Sequence, residues 1–161
     1  MPNKETFWDF ACRTYERETI APLCLQLQND HGLDVNVLLF ILWSGDQGQG
    51  VSDLSFWQDV VQYSREWQEG VVKPLRSARQ QLKIKMQPGE PHLEELRKAI
   101  LQVELQAEQE QIEQLEKMHR SCAQDKEATN EQMVKLYLSA LPAEPNEAQD
   151  QLLAKLLVAS A

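Results

Sequence analysis

The run Val37-Leu38-Leu39-Phe40-Ile41-Leu42-Trp43 constrains the fold of this chain more than any other stretch. It is too short to cross a bilayer, which needs about 18 or more apolar residues, and too greasy to stand in water. It is therefore a core segment. Periodicity alone admits a strand here, because the run is short and carries β-branched members. Two observations decide for helix. Asp34 stands where an N-cap oxygen is needed, and Val35, Leu38, Leu39, Leu42 and Trp43 recur at intervals of three and four. No other segment looks like a strand, and a lone strand would leave its backbone unpaired.

The run ends in Ser44-Gly45-Asp46-Gln47-Gly48-Gln49-Gly50, a glycine-bearing loop that raises the question of a site. A phosphate loop works by aiming backbone N–H groups and a helix end at the anion, helped by Lys and Ser/Thr. Those side chains are missing. A dinucleotide loop follows a strand inside a βαβ unit, whereas this one follows a helix. A calcium loop needs a ladder of ligands ending in Glu, which Asp46 and Asp53 do not begin. The expectation is a turn.

Helical signals fill the rest of the chain. Thr6 caps a segment carrying Phe7, Phe10, Ala11 and Tyr15. Thr19 starts the next, with Pro22 in its first turn and Asn29-Asp30-His31-Gly32 as its end. Ser52 or Asp53 caps a helix that runs to Trp67. Gly70 and Pro74 predict a break, after which helix resumes to about Met86. Gln87-Pro88-Gly89-Glu90-Pro91 is the clearest boundary. A long Glu- and Gln-rich helix is expected from about His92 to Arg120, then one from Glu127 to Leu141, and a last one opened by Pro145 or Asn146.

The fold class is thus all-α: an irregular multi-helix bundle of about seven helices with one long acidic helix. One domain, residues 1–161, is expected, with an aromatic-rich unit at 1–87 and acidic helices at 92–161 packed on it or extending from it. In the long helix, Leu93, Leu96, Ile100, Val103 and Ala107 form one seam. Leu101, Leu105, Ile112, Leu115 and Cys122 form a second, with Glu108 and His119 in its gaps. Two offset seams suit a bundle helix, and a homodimer through this helix is the other reading.

Chemistry-bearing patterns are sparse. His31, His92 and His119 are isolated, no CxxC or HExxH spacing occurs, and no metal or cofactor is expected. No Ser lies in a G-x-S-x-G elbow, and no local Cys/His pair suggests a nucleophile. The carboxylates Glu104 and Glu108 share a face, and the expectation for them is a solvated surface. Cys12, Cys24 and Cys122 are few, odd in number and far apart, which fits buried thiols in a cytoplasmic protein. The amino end lacks a signal-peptide pattern and no membrane segment is expected.

Sixteen Lys and Arg face 25 Asp and Glu, a formal charge of -9. Against that balance, Val71-Val72-Lys73-Pro74-Leu75-Arg76-Ser77-Ala78-Arg79-Gln80-Gln81-Leu82-Lys83-Ile84-Lys85 stands out as acid-free. Val71, Leu75, Ala78 and Leu82 make its apolar stripe, and Arg76, Arg79 and Lys83 gather on one flank, with Lys73 before them. Three readings stay open: the flank meets the Glu-rich helix, it holds an anionic partner, or it is plain surface. Nucleic acid is not expected from one short patch without a binding motif. Trp8, Trp43, Trp57 and Trp67 all fall in the first half, where core, interface and pocket are the alternatives. Trp43 and Trp67 are the pocket candidates.

Phe7-Trp8, the stretch Gly32 to Phe40 with Leu42-Trp43, and then Trp67, Val71-Val72, Pro74-Leu75-Arg76, Ala78-Arg79 and Leu82-Lys83 resemble a small uncharacterised family of proteobacterial proteins. The resemblance covers about residues 6–86 and implies a cytoplasmic, all-helical bacterial protein of unknown function. It supplies no catalytic residue. The functional expectation is a non-enzymatic interaction or adaptor protein with an unknown, acidic protein partner. The alternative is an enzyme or sensor taking a small anionic ligand between Trp43, Trp67 and the basic flank.

Overall fold

The computed structural model describes residues 4–85, 90–142, 144 and 146–161. Its helices are α1 (Phe7–Tyr15), α2 (Ala21–His31), α3 (Val35–Asp46), α4 (Leu54–Trp67), α5 (Lys73–Lys85), α6 (Pro91–Arg120), α7 (Asn130–Ala140) and α8 (Glu147–Ser160). The fold is all-α. Most starts follow from local capping. Side chains of Thr6, Asp34, Asp53 and Asn146 each accept a backbone N–H from the first turn they precede. Helix α7 begins later than Glu127, because Thr129 and Gln132 form a reciprocal capping box. Gly32 ends α2 with φ of 67°, a left-handed conformation that glycine adopts freely.

The expected break at Gly70 is absent. A π-turn over Gln68–Val72 joins α4 to α5, and the Lys73 N–H reaches back five residues to the Gln68 carbonyl. The wide turn lets the chain stay helical through Gly70 and past Pro74, which has no N–H to give. Residues 54–85 are one continuous helical rod, so the described residues form seven rods. The Gln87–Gly89 part of the expected boundary lies outside the described residues, as does Pro145.

Helix α3 is the hub. Val37 through Ser44 are all buried, so the apolar run is enclosed on every side rather than along one stripe. Phe40 sits among Phe7, Phe56, Trp57, Trp43 and His119, with ring centroids 5.6–6.0 Å away. His119 lies edge-on to Trp43 at 5.0 Å and sets its Nε2 2.7 Å from the Gln49 carbonyl. A carbonyl only accepts, so Nε2 carries the proton. Burial pushes this imidazole below its ordinary value, which keeps it neutral. Ile112 and Leu115 from α6, Met133 and Tyr137 from α7, and Leu153 and Leu156 from α8 join the same core.

The glycine loop is a packing seat. A Cβ at Gly45 would run into the Asn130 side chain. One at Gly50 would lie 2.8 Å from the Ala128 Cβ and 3.1 Å from its carbonyl oxygen. The Gly50 carbonyl accepts the Asp125 N–H at 2.7 Å. The loop therefore anchors the turn before α7. Gly50→Ala is expected to cost about 1–3 kcal/mol through overpacking. Gly70→Ala, where a Cβ meets nothing within 4 Å, is expected to be neutral or stabilising. Urea midpoints of the two variants check this.

Candidate functional site

No residue of α5 is buried, and the buried positions of α6 begin at Glu104. Helix α5 and the first half of α6 therefore pack mainly on each other, as a hairpin standing off the body. The ion pairs show the helices to be antiparallel. Arg76 donates from Nε to Glu104 at 3.1 Å and from Nη2 to Glu108 at 3.0 Å, and Arg79 Nε donates to Glu104 at 2.6 Å. Glu104 is 4% exposed, so two guanidinium groups clamp one buried carboxylate at the foot of the hairpin. The solvated-surface expectation for Glu104 fails because α5 covers it.

The other sequence candidates are dispersed. Lys73 pairs with Glu69 at 2.6 Å on the surface. Lys83 is exposed and makes no ion pair among the described residues. Trp43 is in the core, donating to the Glu5 carbonyl at 3.0 Å. Trp67 stacks on Tyr63 and donates to the Ala107 carbonyl at 2.8 Å. The α6 seam also fares differently along its length. Leu96 and Val103 are each 48% exposed, because that half of α6 has only α5 beside it.

Beside the clamp lies a cavity of about 850 Å³, within the range of ligand pockets. Arg76, Glu104 and Glu108 form one wall. Trp8 and Tyr15 from α1 and Leu25 from α2 also line it, and Asp34 and Ser64 are among its polar residues. Trp43 and Trp67 lie outside this lining. The polar base is organised by Gln111, which is fully buried on α6. Its Nε2 donates to Asp34 Oδ2 at 2.7 Å, and its Oε1 accepts from Asn36 Nδ2 at 2.9 Å and Gln68 Nε2 at 2.8 Å. Asp34 also accepts the Asn36 N–H, and its own N–H goes to the Tyr137 hydroxyl at 3.1 Å.

Two polar groups at the cavity keep unused capacity. Ser64 is 2% exposed and its Oγ has no hydrogen-bond partner among the described residues. No general base reaches that hydroxyl, so it offers a hydrogen bond rather than a nucleophile. Tyr137 accepts from Asp34, and its own proton has no acceptor among the described residues. Burial pushes the phenol far above its ordinary value, so the proton stays.

Charges respond to the same burial. Burial raises the carboxyl of Asp34 against the pull of Gln111 and two backbone N–H groups. Burial also raises Glu108, opposed by Arg76 and assisted by the neighbouring Glu104. For Glu104 burial is the largest single influence, but the hydrogen bonds from Arg79 and Arg76 together outweigh it and lower its value. Gln111 and Ser64 escaped the sequence reading, and Glu104 was expected on a solvated surface, because nothing local marks a Gln, Ser or Glu as buried. Their spacing offers the one signal: Glu104, Ala107, Gln111 and Leu115 are three or four apart, a helical face.

Among the described residues no three His, Cys, Asp or Glu side chains group to hold a metal. No helix there is long and apolar enough to cross a membrane. A family model described as "Protein of unknown function (DUF2390)" matches residues 6–115, reaching beyond the basic flank to the buried half of α6. No curated protein and no solved structure matches.

The clamp predicts opposite roles for its two acids. Glu104 titrates below its ordinary value of 4.5, so its stabilisation is present above that pH and is lost as pH falls through the lowered value. Glu104→Gln is expected to cost about 2–3 kcal/mol at neutral pH, leaving two guanidinium groups short of a counter-charge. Glu108 titrates above 4.5, so its ionisation opposes folding at neutral pH and the penalty fades as pH falls through the raised value. Glu108→Gln is expected to change stability by less than about 1 kcal/mol at pH 7. Denaturant titrations of both variants from pH 4 to pH 8 check the contrast.

Proposed function

The chain belongs to this family, DUF2390, and we propose that it is a ligand-responsive helical adaptor in the bacterial cytoplasm. One observation carries the reading: Arg76, Glu104 and Glu108 both line the cavity and belong to the clamp of the hairpin. A small molecule seated in the cavity would touch groups that fix α5 to α6. Its differential contacts with the clamped and loosened states would then bias the hairpin, as a ligand-driven population shift requires. The cytoplasmic location is supported by three cysteines that are all free thiols.

The hairpin supplies the output surface. Ile84 is 76% exposed between Lys83 and Lys85, which make no ion pair among the described residues. In a chain of charge -9 this basic, apolar end complements an acidic protein surface. A second copy of the chain, meeting it through Leu96 and Val103, is the other outcome of the same test.

Two measurements test the two halves. The protein, incubated with a low-molecular-weight bacterial extract, washed and denatured, is expected to release a compound seen by mass spectrometry. Ser64→Leu, which fills the polar end of the cavity, should release none while keeping its helical circular dichroism. Identical profiles would remove the ligand from the account. A photo-crosslinking residue at position 84 is expected to give an adduct with an acidic protein, abolished by Lys83→Glu with Lys85→Glu. Adducts equal to those from a control at exposed Leu54 would remove the partner.

A further inference from the structure

The cavity's chemistry narrows what it takes. The argument rests on the reading above that the cavity is a ligand site. Its cations, Arg65 apart, are committed already. Arg76 spends its charge on Glu104 and Glu108, and Arg79 on Glu104. Lys73 is held by Glu69 at the surface, and Arg65, at the rim, is exposed. Beyond Arg65 at the rim, a carboxylate or phosphate entering the cavity would have to break the clamp to find a cation.

The acids are in the opposite condition. Asp34 is approached by neutral donors alone, the Gln111 amide and backbone N–H groups, so its charge has no partner within hydrogen-bond reach. Glu108 gives one oxygen to Arg76, and its other oxygen has no partner among the described residues. Burial raises both carboxyls, and at Glu108 the neighbouring Glu104 and Asp34 add negative potential to it. The rings of Trp8 and Tyr15 line the same cavity, and aromatic π-faces favour a cation. Leu25, Leu39, Leu105 and Ile112 add apolar wall.

We propose that the cavity binds a small organic cation, an amine on a compact apolar or aromatic body. The ammonium group sits against the free oxygen of Glu108, and the body lies against Trp8 and Tyr15. Binding supplies Glu108 with the counter-charge that Arg76 gives only in part. The clamp on Glu104 stays intact, so capture does not require the hairpin to detach.

Benzylamine, benzyl alcohol and benzoate probe the class, being alike in body and different in charge. Calorimetry at pH 7 on the full chain is expected to rank benzylamine first, with benzoate weakest. Glu108→Gln should weaken benzylamine about tenfold and leave benzyl alcohol unchanged. Benzoate binding as well as benzylamine, or Glu108→Gln leaving benzylamine untouched, would overturn the cation assignment while the cavity remained a site. No binding by any of the three, with extract-derived ligand also absent, would overturn the site itself.

Discussion

The functional face of this protein depends on one buried amide. Gln111 reaches from α6 to Asp34 and Asn36 at the start of α3 and to Gln68 at the π-turn. Its orientation is determined by its partners, since Oε1 faces two amide donors and Nε2 a carboxyl. A hydrogen bond adds about 1 kcal/mol net, but a buried polar group left unmade costs about 1–3 kcal/mol. The relay is therefore more important for what it prevents than for what it adds. It lets polar groups line a cavity inside a helical core without stranding them.

The same logic explains the hairpin. Helix α5 buries no residue fully, and its apolar stripe, with Leu75 and Leu82 half-buried, holds it only in part. Arg76 and Arg79 add to the attachment by closing on Glu104, where the carboxylate is enclosed and the guanidinium groups keep one edge in water. Partial exposure spares the arginines the full cost of desolvation while the buried acid makes the pairing specific. An element held partly by charge and set beside a cavity is a natural place for a ligand to act. That is the physical basis for treating cavity and hairpin as one device.

Much of this fold was legible in the sequence. The α3 run, the caps at Thr6, Asp34, Asp53 and Asn146, and the glycine end of α2 all obey local chemistry. The basic flank was visible as acid-free, and its contact with the Glu-rich helix was among the readings left open. What escaped was tertiary. Apolar counting found the seam through Leu96 and Val103, which are half exposed, and passed over Glu104 and Gln111, which are buried. A polar residue inside a helical stripe looks like a gap until its partner, 77 residues away for Gln111 and Asp34, is known. The π-turn was hidden for a similar reason: Gly70 and Pro74 favour a break locally, and the continuing helix overrides them.

A double-mutant cycle between Asp34 and Gln111 tests the central claim most directly. Asp34→Ser keeps a capping oxygen but withdraws the acceptor from Gln111, and Gln111→Leu removes the donor at similar volume. If the relay organises the base of the cavity, urea unfolding will show a coupling of about 1 kcal/mol or more, with the double variant less damaged than the sum. Additive losses, within about 0.5 kcal/mol, would mean that the two residues act independently and that the cavity has no organised polar base.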